Sequence, residues 1–184
     1  MKRKIVVVTG TRAEYGILKP LLYRMKDSKK IDLKLIVTGM HLLKNHGYTI
    51  NEIKKDGFLP TKTIKMYSQQ TSDNYYSIAL SNGIKKISKS LLEIKPDIVV
   101  VFGDRIEALA ATLASSFLKI PIAHIHGGDK TDSGHIDENI RHAISQFANI
   151  HFTATRNHSK RLIKMGQENS RVYQAGALGI DSIK

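Results

Sequence analysis

Short runs rich in β-branched residues recur along the chain, several closed by a glycine and separated by stretches of helical periodicity. Lys4–Thr9 holds Ile5-Val6-Val7-Val8 and stops at Gly10, and Leu33–Thr38 stops at Gly39. Ile98–Phe102 runs into Gly103-Asp104-Arg105, and Ile120–Ile125 into His126-Gly127-Gly128-Asp129. Ile150–Ala154 and Val172–Ala175 follow, the last before Gly176. Runs apolar on both faces must be covered on both faces, as strands of a parallel sheet are. Strands alternating with helices then define an α/β class, a doubly wound parallel sheet of Rossmann-like form in one compact domain spanning 1–184.

The helices read from spacing. Thr11 and Glu14 have the offset of a capping box, and Ile17, Leu18, Leu21, Leu22 and Met25 follow on one face. Pro20 in that helix predicts a kink or a late start. Tyr75 to Leu92, the small-residue stretch Ala108–Phe117, Ile136–Ala148 and Asn157–Met165 read as further helices. Residues 40–72 carry only short apolar pieces and give no clear reading.

Composition excludes more than it selects. There is no cysteine in the 184 residues, so disulfides and thiolate metal sites are out. No apolar stretch approaches the roughly 20 residues of a membrane span, and the apolar run after the basic start is too short for a signal peptide. A soluble, cytoplasmic protein with no membrane partner is the expectation. The formal charge is +13, yet the lysines are scattered rather than gathered, and no nucleic-acid motif accompanies them. No nucleic-acid partner is therefore expected, whereas an anionic nucleotide would use the same field.

In open α/β sheets, ligands bind beyond the carboxyl ends of the strands. Three loops there combine glycine with charge: Gly10-Thr11-Arg12-Ala13-Glu14, Gly103-Asp104-Arg105 and His126-Gly127-Gly128-Asp129. Glycine admits a ligand close to the backbone, and arginine can grip phosphate by two parallel bonds. GxGxxG is missing after the first strand and GxxxxGK[ST] is absent, which argues against NAD and P-loop chemistry, and no cofactor is expected. Each residue also has a plain reading. Asp104 could be an N-cap with Glu107 completing a capping box, and Arg12 a solvated charge. His124 and His126 share a face if the strand continues, but no third metal ligand stands at a fixed spacing. Asp137 with Arg141, and Glu138 with His142, could be ordinary i,i+4 helix pairs, although the first pair borders the apolar face.

Taken in order, Val8–Gly16, Gly103-Asp104-Arg105, His124-Ile125-His126-Gly127-Gly128-Asp129 and Ile136-Asp137-Glu138-Asn139-Ile140-Arg141-His142-Ala143 resemble the UDP-N-acetylglucosamine 2-epimerase family. Within it they are most similar to the hydrolysing branch of sialic-acid biosynthesis, over residues 4 to about 181. The resemblance implies the N-terminal lobe of a glycosyltransferase-B-like, two-lobed enzyme, with the C-terminal lobe absent from this chain. It implies a UDP-sugar substrate, homo-oligomerisation of the complete enzyme, and elimination of UDP followed by hydration to N-acetylmannosamine. It assigns Asp104, His126 and Asp137 to catalysis, Arg12, Ala13 and Arg105 to the nucleotide, and Glu138 and Arg141 to the sugar or the carboxylates. Two positions depart from the pattern. His126 stands where many relatives have glutamate, which raises a UDP-linked diacetamido-trideoxy sugar as the competing substrate. Leu178 stands where proline is usual. The non-hydrolysing epimerases are a nearer alternative reading, and a nucleotide-sugar-binding module without catalysis is one from another class.

Overall fold

The computed structural model describes residues 1–67, 75–130 and 136–181. Strands β1 (Arg3–Thr9), β2 (Ile31–Thr38), β3 (Lys62–Ile64), β4 (Ile98–Phe102), β5 (Ile122–Ile125), β6 (Ile150–Thr153) and β7 (Val172–Gln174) form one sheet. Their spatial order is β3-β2-β1-β4-β5-β6-β7, and every pair is parallel. The chain winds outward from β1 to β3 and then returns to β4 on the other side of β1. The order reverses there, which makes the β1–β4 crevice the place where this architecture receives ligands.

Helices cover both faces, as the apolar strands require. α3 (Tyr75–Ile94), α4 (Ile106–Phe117) and α5 (Ile136–Phe147) pack on Val6, Val8, Ile36, Val99, Val101 and Ile122 through Ile87, Leu91, Ala111 and Ile144. α1 (Arg12–Asp27) and α2 (Ile50–Lys55) pack on Val7, Leu35, Val37 and Val100 through Leu18, Leu22 and Ile53. Alternate strand residues thus enter opposite cores, as period-two geometry demands. α6 (Arg156–Lys164) seats the fully buried Leu162, and the short α7 (Leu178–Asp181) touches α1. Between α1 and α7 lies an apolar groove of about 410 Å3, lined by Leu21, Met25, Ile98, Val100, Ile150 and Phe152 among others.

The late start that Pro20 allowed does not occur, and the region without a clear reading gains one. α1 begins at once at Arg12 and runs through Pro20 to Asp27. The carbonyl that Pro20 leaves without a helical donor belongs to Gly16, an exposed residue where water can take the donor's place. The region that resisted reading is built of two 3-10 turns, Gly39–Leu42 and Lys44–His46, then α2 and the three-residue β3. It is pinned from within by His41, which is fully buried and hydrogen-bonded to Thr9 (3.2 Å) and Thr49 (2.7 Å). Among the described residues, no helix is long and apolar enough to cross a membrane.

Candidate active site

The strand-end loops meet at the β1–β4 crevice and along the neighbouring ends of β5 and α5. Gly103 turns the chain out of β4 with φ +70, and Arg105, in extended conformation, is the N-cap residue of α4. The N-cap position belongs to Arg105, whose side chain makes no capping bond, so Asp104 is no cap and the capping box with Glu107 does not form. Asp104 instead pairs with Arg141 of α5, an arginine only 5% exposed. The bond crosses from one loop to another element and replaces the i,i+4 pair with Asp137. Among the described residues, Nη1 of Arg141 is buried without a hydrogen-bond partner, a donor held ready beside the carboxylate.

Glu107 lies just inside. Its carboxylate accepts from the Tyr67 hydroxyl (2.9 Å) and from Arg105 Nε (3.3 Å). Beside it sits Glu14, also buried. The Glu14 N–H reaches Thr11 Oγ1 at 3.3 Å, so one half of the α1 capping box is present. Its carboxyl, however, is drawn inward, and burial, reinforced by the neighbouring Glu107 charge, pushes its pKa up to about 8. At neutral pH Glu14 holds its proton. The glycines of the first two turns serve these acids. A Cβ on Gly10 would stand 2.7 Å from Glu107 Cγ, and one on Gly39 would overlap the same carboxylate. The expectation that Gly10 makes room for a ligand is thus corrected: the room is filled by Glu107.

His124 and His126 do not share a face. β5 ends at Ile125 and His126 takes φ +64, which breaks the strand's alternation. His124 is fully buried, with Nε2 donating to the Gly103 carbonyl (2.8 Å) and Nδ1 within 3.0 Å of the Ser145 hydroxyl. Burial lowers its pKa to about 3, so the ring is neutral and ties the Asp104 turn to α5. His126 lies against Phe102, ring centroids 4.7 Å apart, with Nε2 buried and unpartnered among the described residues. Burial lowers its pKa as well, opposed by Asp129 and assisted by His158 and Arg141. No group of three metal-ligating side chains occurs among the described residues.

The remaining expected positions lie around this centre. Asp137 is half-buried in the first turn of α5, and Glu138 pairs with His142 at 3.4 Å. Arg12 and Ala13 are exposed at the start of α1, where Arg12 meets Glu52 of α2 at 2.9 Å. The structure therefore gathers Asp104, Arg105 and Arg141 with Glu107 and leaves Arg12 on the outer side. Spacing alone missed Glu107, Glu14 and Tyr67 as parts of the centre. For the two glutamates the signal was an acid a few residues after a strand-end glycine, and Tyr67 gave none.

Comparison with known proteins gives the family of the chain. The family model for UDP-N-acetylglucosamine 2-epimerase matches residues 23–184. The chain belongs to that family. It is 42% identical over 183 residues to the UDP-N,N'-diacetylbacillosamine 2-epimerase (hydrolyzing) of Legionella pneumophila, covering 100% of this chain and 48% of that protein. It is 37% identical over 180 residues to the polysialic acid biosynthesis protein P7 of Escherichia coli, covering 98% and 46%. Among solved structures, the UDP-GlcNAc 2-epimerase of Methanocaldococcus jannaschii, in complex with UDP-GlcNAc and UDP, superposes with TM-score 0.85 at 26% identity, covering 97% and 48%. The chain spans about half the length of the relatives it matches. Leu178 is the first residue of α7, a position that accepts proline but does not need it.

Proposed function

We propose that this chain is the first lobe of a two-lobed hydrolysing 2-epimerase that acts on UDP-N-acetylglucosamine, releasing UDP and N-acetylmannosamine. The observation that carries this reading is a cation and a carboxylate set side by side on the β4 turn at the crevice, Arg105 bonded to Glu107 and Asp104 held by Arg141. Family membership and a relative bound to UDP-GlcNAc and UDP support it.

The reaction needs a base for the C2 proton, an acid for the water addition that follows, and cations for the departing diphosphate. Arg105 supplies the charge for the phosphates, with Arg12 and Ala13 at the mouth of the neighbouring loop. Asp104, Asp137 and His126 supply proton transfer. His126, neutral at pH 7, is fit to accept a proton, and Asp104, held in place by Arg141, offers a carboxylate oxygen as a further acceptor. Glu138 and Arg141 position the sugar or the carboxylates. The second lobe closes the cleft, excludes water during the elimination and completes the contacts to the nucleotide.

A second reading concerns the sugar. Histidine at position 126 and the 42% identity to a diacetylbacillosamine epimerase support a UDP-linked diacetamido sugar as the alternative substrate. Incubating the two-lobed protein with each UDP-sugar in D2O distinguishes the cases. Hydrolytic epimerisation yields free UDP and a free sugar with deuterium at C2, and the preferred sugar is the one turned over faster. Product still carrying UDP would refute the hydrolysing assignment, and no turnover of either would leave a binding module.

A further inference from the structure

Glu107 is the most enclosed carboxylate at the crevice, and nothing in the mechanism above uses it. Its side chain is 1% exposed, whereas that of Arg105 is 33% exposed. A buried carboxylate is costly unless its oxygens are paired, and among the described residues Tyr67 bonds Oε1 and Arg105 bonds Oε2. Three separate turns build the enclosure. β1 and β2 are each followed by a glycine whose missing side chain leaves space for Glu107, and the residues after β3 bring in Tyr67. Met40 Sδ, 3.7 Å from Nη2, backs the guanidinium from a fourth direction. An arginine on a strand-end loop would otherwise lose much rotamer freedom on binding an anion, and one already held does not.

We propose that Glu107 is a positioning residue for the diphosphate: through its bond to Nε it fixes the direction of the Arg105 guanidinium before the nucleotide arrives. The inference rests on Arg105 being a phosphate ligand, as in the function proposed above. Glu107 touches no substrate and acts only through Arg105. Tyr67 holds the carboxylate and also lies beside the guanidinium. Because a third of the Arg105 side chain remains exposed and its bond to Glu107 is made through Nε, that pairing does not consume its capacity for phosphate.

The test is a double-mutant cycle read by UDP binding to the two-lobed protein, with calorimetry for affinity and thermal unfolding as a separate measure of fold. Arg105→Ala should weaken UDP at least tenfold. Glu107→Gln, which keeps the shape but removes the charge, should weaken it three- to tenfold, and the double variant should bind no worse than Arg105→Ala alone. Tyr67→Phe should weaken UDP about twofold in the native background and not at all beside Arg105→Ala. A structural role would lower the melting temperature without this dependence on Arg105. If Arg105→Ala binds UDP normally, the phosphate reading itself fails. If Arg105→Ala is impaired but Glu107→Gln and Tyr67→Phe bind as the native protein does, or the losses multiply, the positioning role is overturned. Should Glu107→Gln not fold, the Tyr67→Phe pair decides alone.

Discussion

Replacing Glu14 by glutamine should change how stability depends on pH, not merely its level. Below pH 4.5 the carboxyl is protonated in both folded and unfolded chains, and it contributes no slope. Between 4.5 and about 8 the unfolded chain releases the proton while the folded one retains it, so folding takes up one proton. Stability therefore falls as pH rises through this window, by about 1.4 kcal/mol per unit, and the loss is complete above the folded pKa. From pH 5.5 to 7.5 the native chain should lose about 3 kcal/mol through Glu14, while Glu14→Gln has no such group. For a chain of this size, that difference is roughly 6–12 °C in melting temperature. The amide also alters bonding to Thr9 and Gly10, which adds an offset independent of pH, so the slope is the quantity to read. Denaturant or thermal unfolding of both proteins at pH 5.5, 6.5 and 7.5 gives it. Parallel stability curves for the two proteins would refute the claim that Glu14 is buried in its protonated form.

Other outcomes follow from the same structure. Asp137→Asn in the two-lobed protein should cut turnover by roughly 10²–10⁴ with little change in UDP affinity, whereas a mere helix-surface partner would leave the rate untouched. The limb of the pH–rate profile that belongs to His126 should lie on the acid side of about 6.5, because burial lowers its pKa, and it should vanish in His126→Gln. A profile identical in both proteins would remove His126 from catalysis. Lys119 holds φ +58 at the end of α4, so Lys119→Gly should raise stability by up to about 1 kcal/mol, measured by denaturant titration. The 184-residue chain alone should release no N-acetylmannosamine from UDP-N-acetylglucosamine, and multiple turnover would show that one lobe suffices.

The strands that carry the site were legible because each is a dense β-branched run: Ile98–Phe102 is β4 to the residue. The loops after them were legible as places where chemistry gathers. Their internal wiring was not. Arg141 has an acid four residues earlier on its own helix, and local spacing favours that partner, yet the fold offers Asp104 from the β4 turn. Glu107 stands three residues after Asp104 and has the spacing of a cap. Its burial depends on glycines at positions 10 and 39, which only the sheet order brings alongside. Lys62–Ile64 escaped notice because three residues, two of them polar, carry no periodicity, and their place is set by pairing with β2. His126 was read by extending strand alternation one residue too far, past the point where φ turns positive.

The uniform direction of the strands has a practical side. All seven point the same way, so the candidate chemistry lies along one rim, and the opposite rim is left with plain turns after the helices. Lys95 and Lys119 stand there, exposed, in left-handed conformation at the ends of α3 and α4. A label, a tether or a sensor surface attached at either lysine would hold the molecule with its crevice facing outward into the solution.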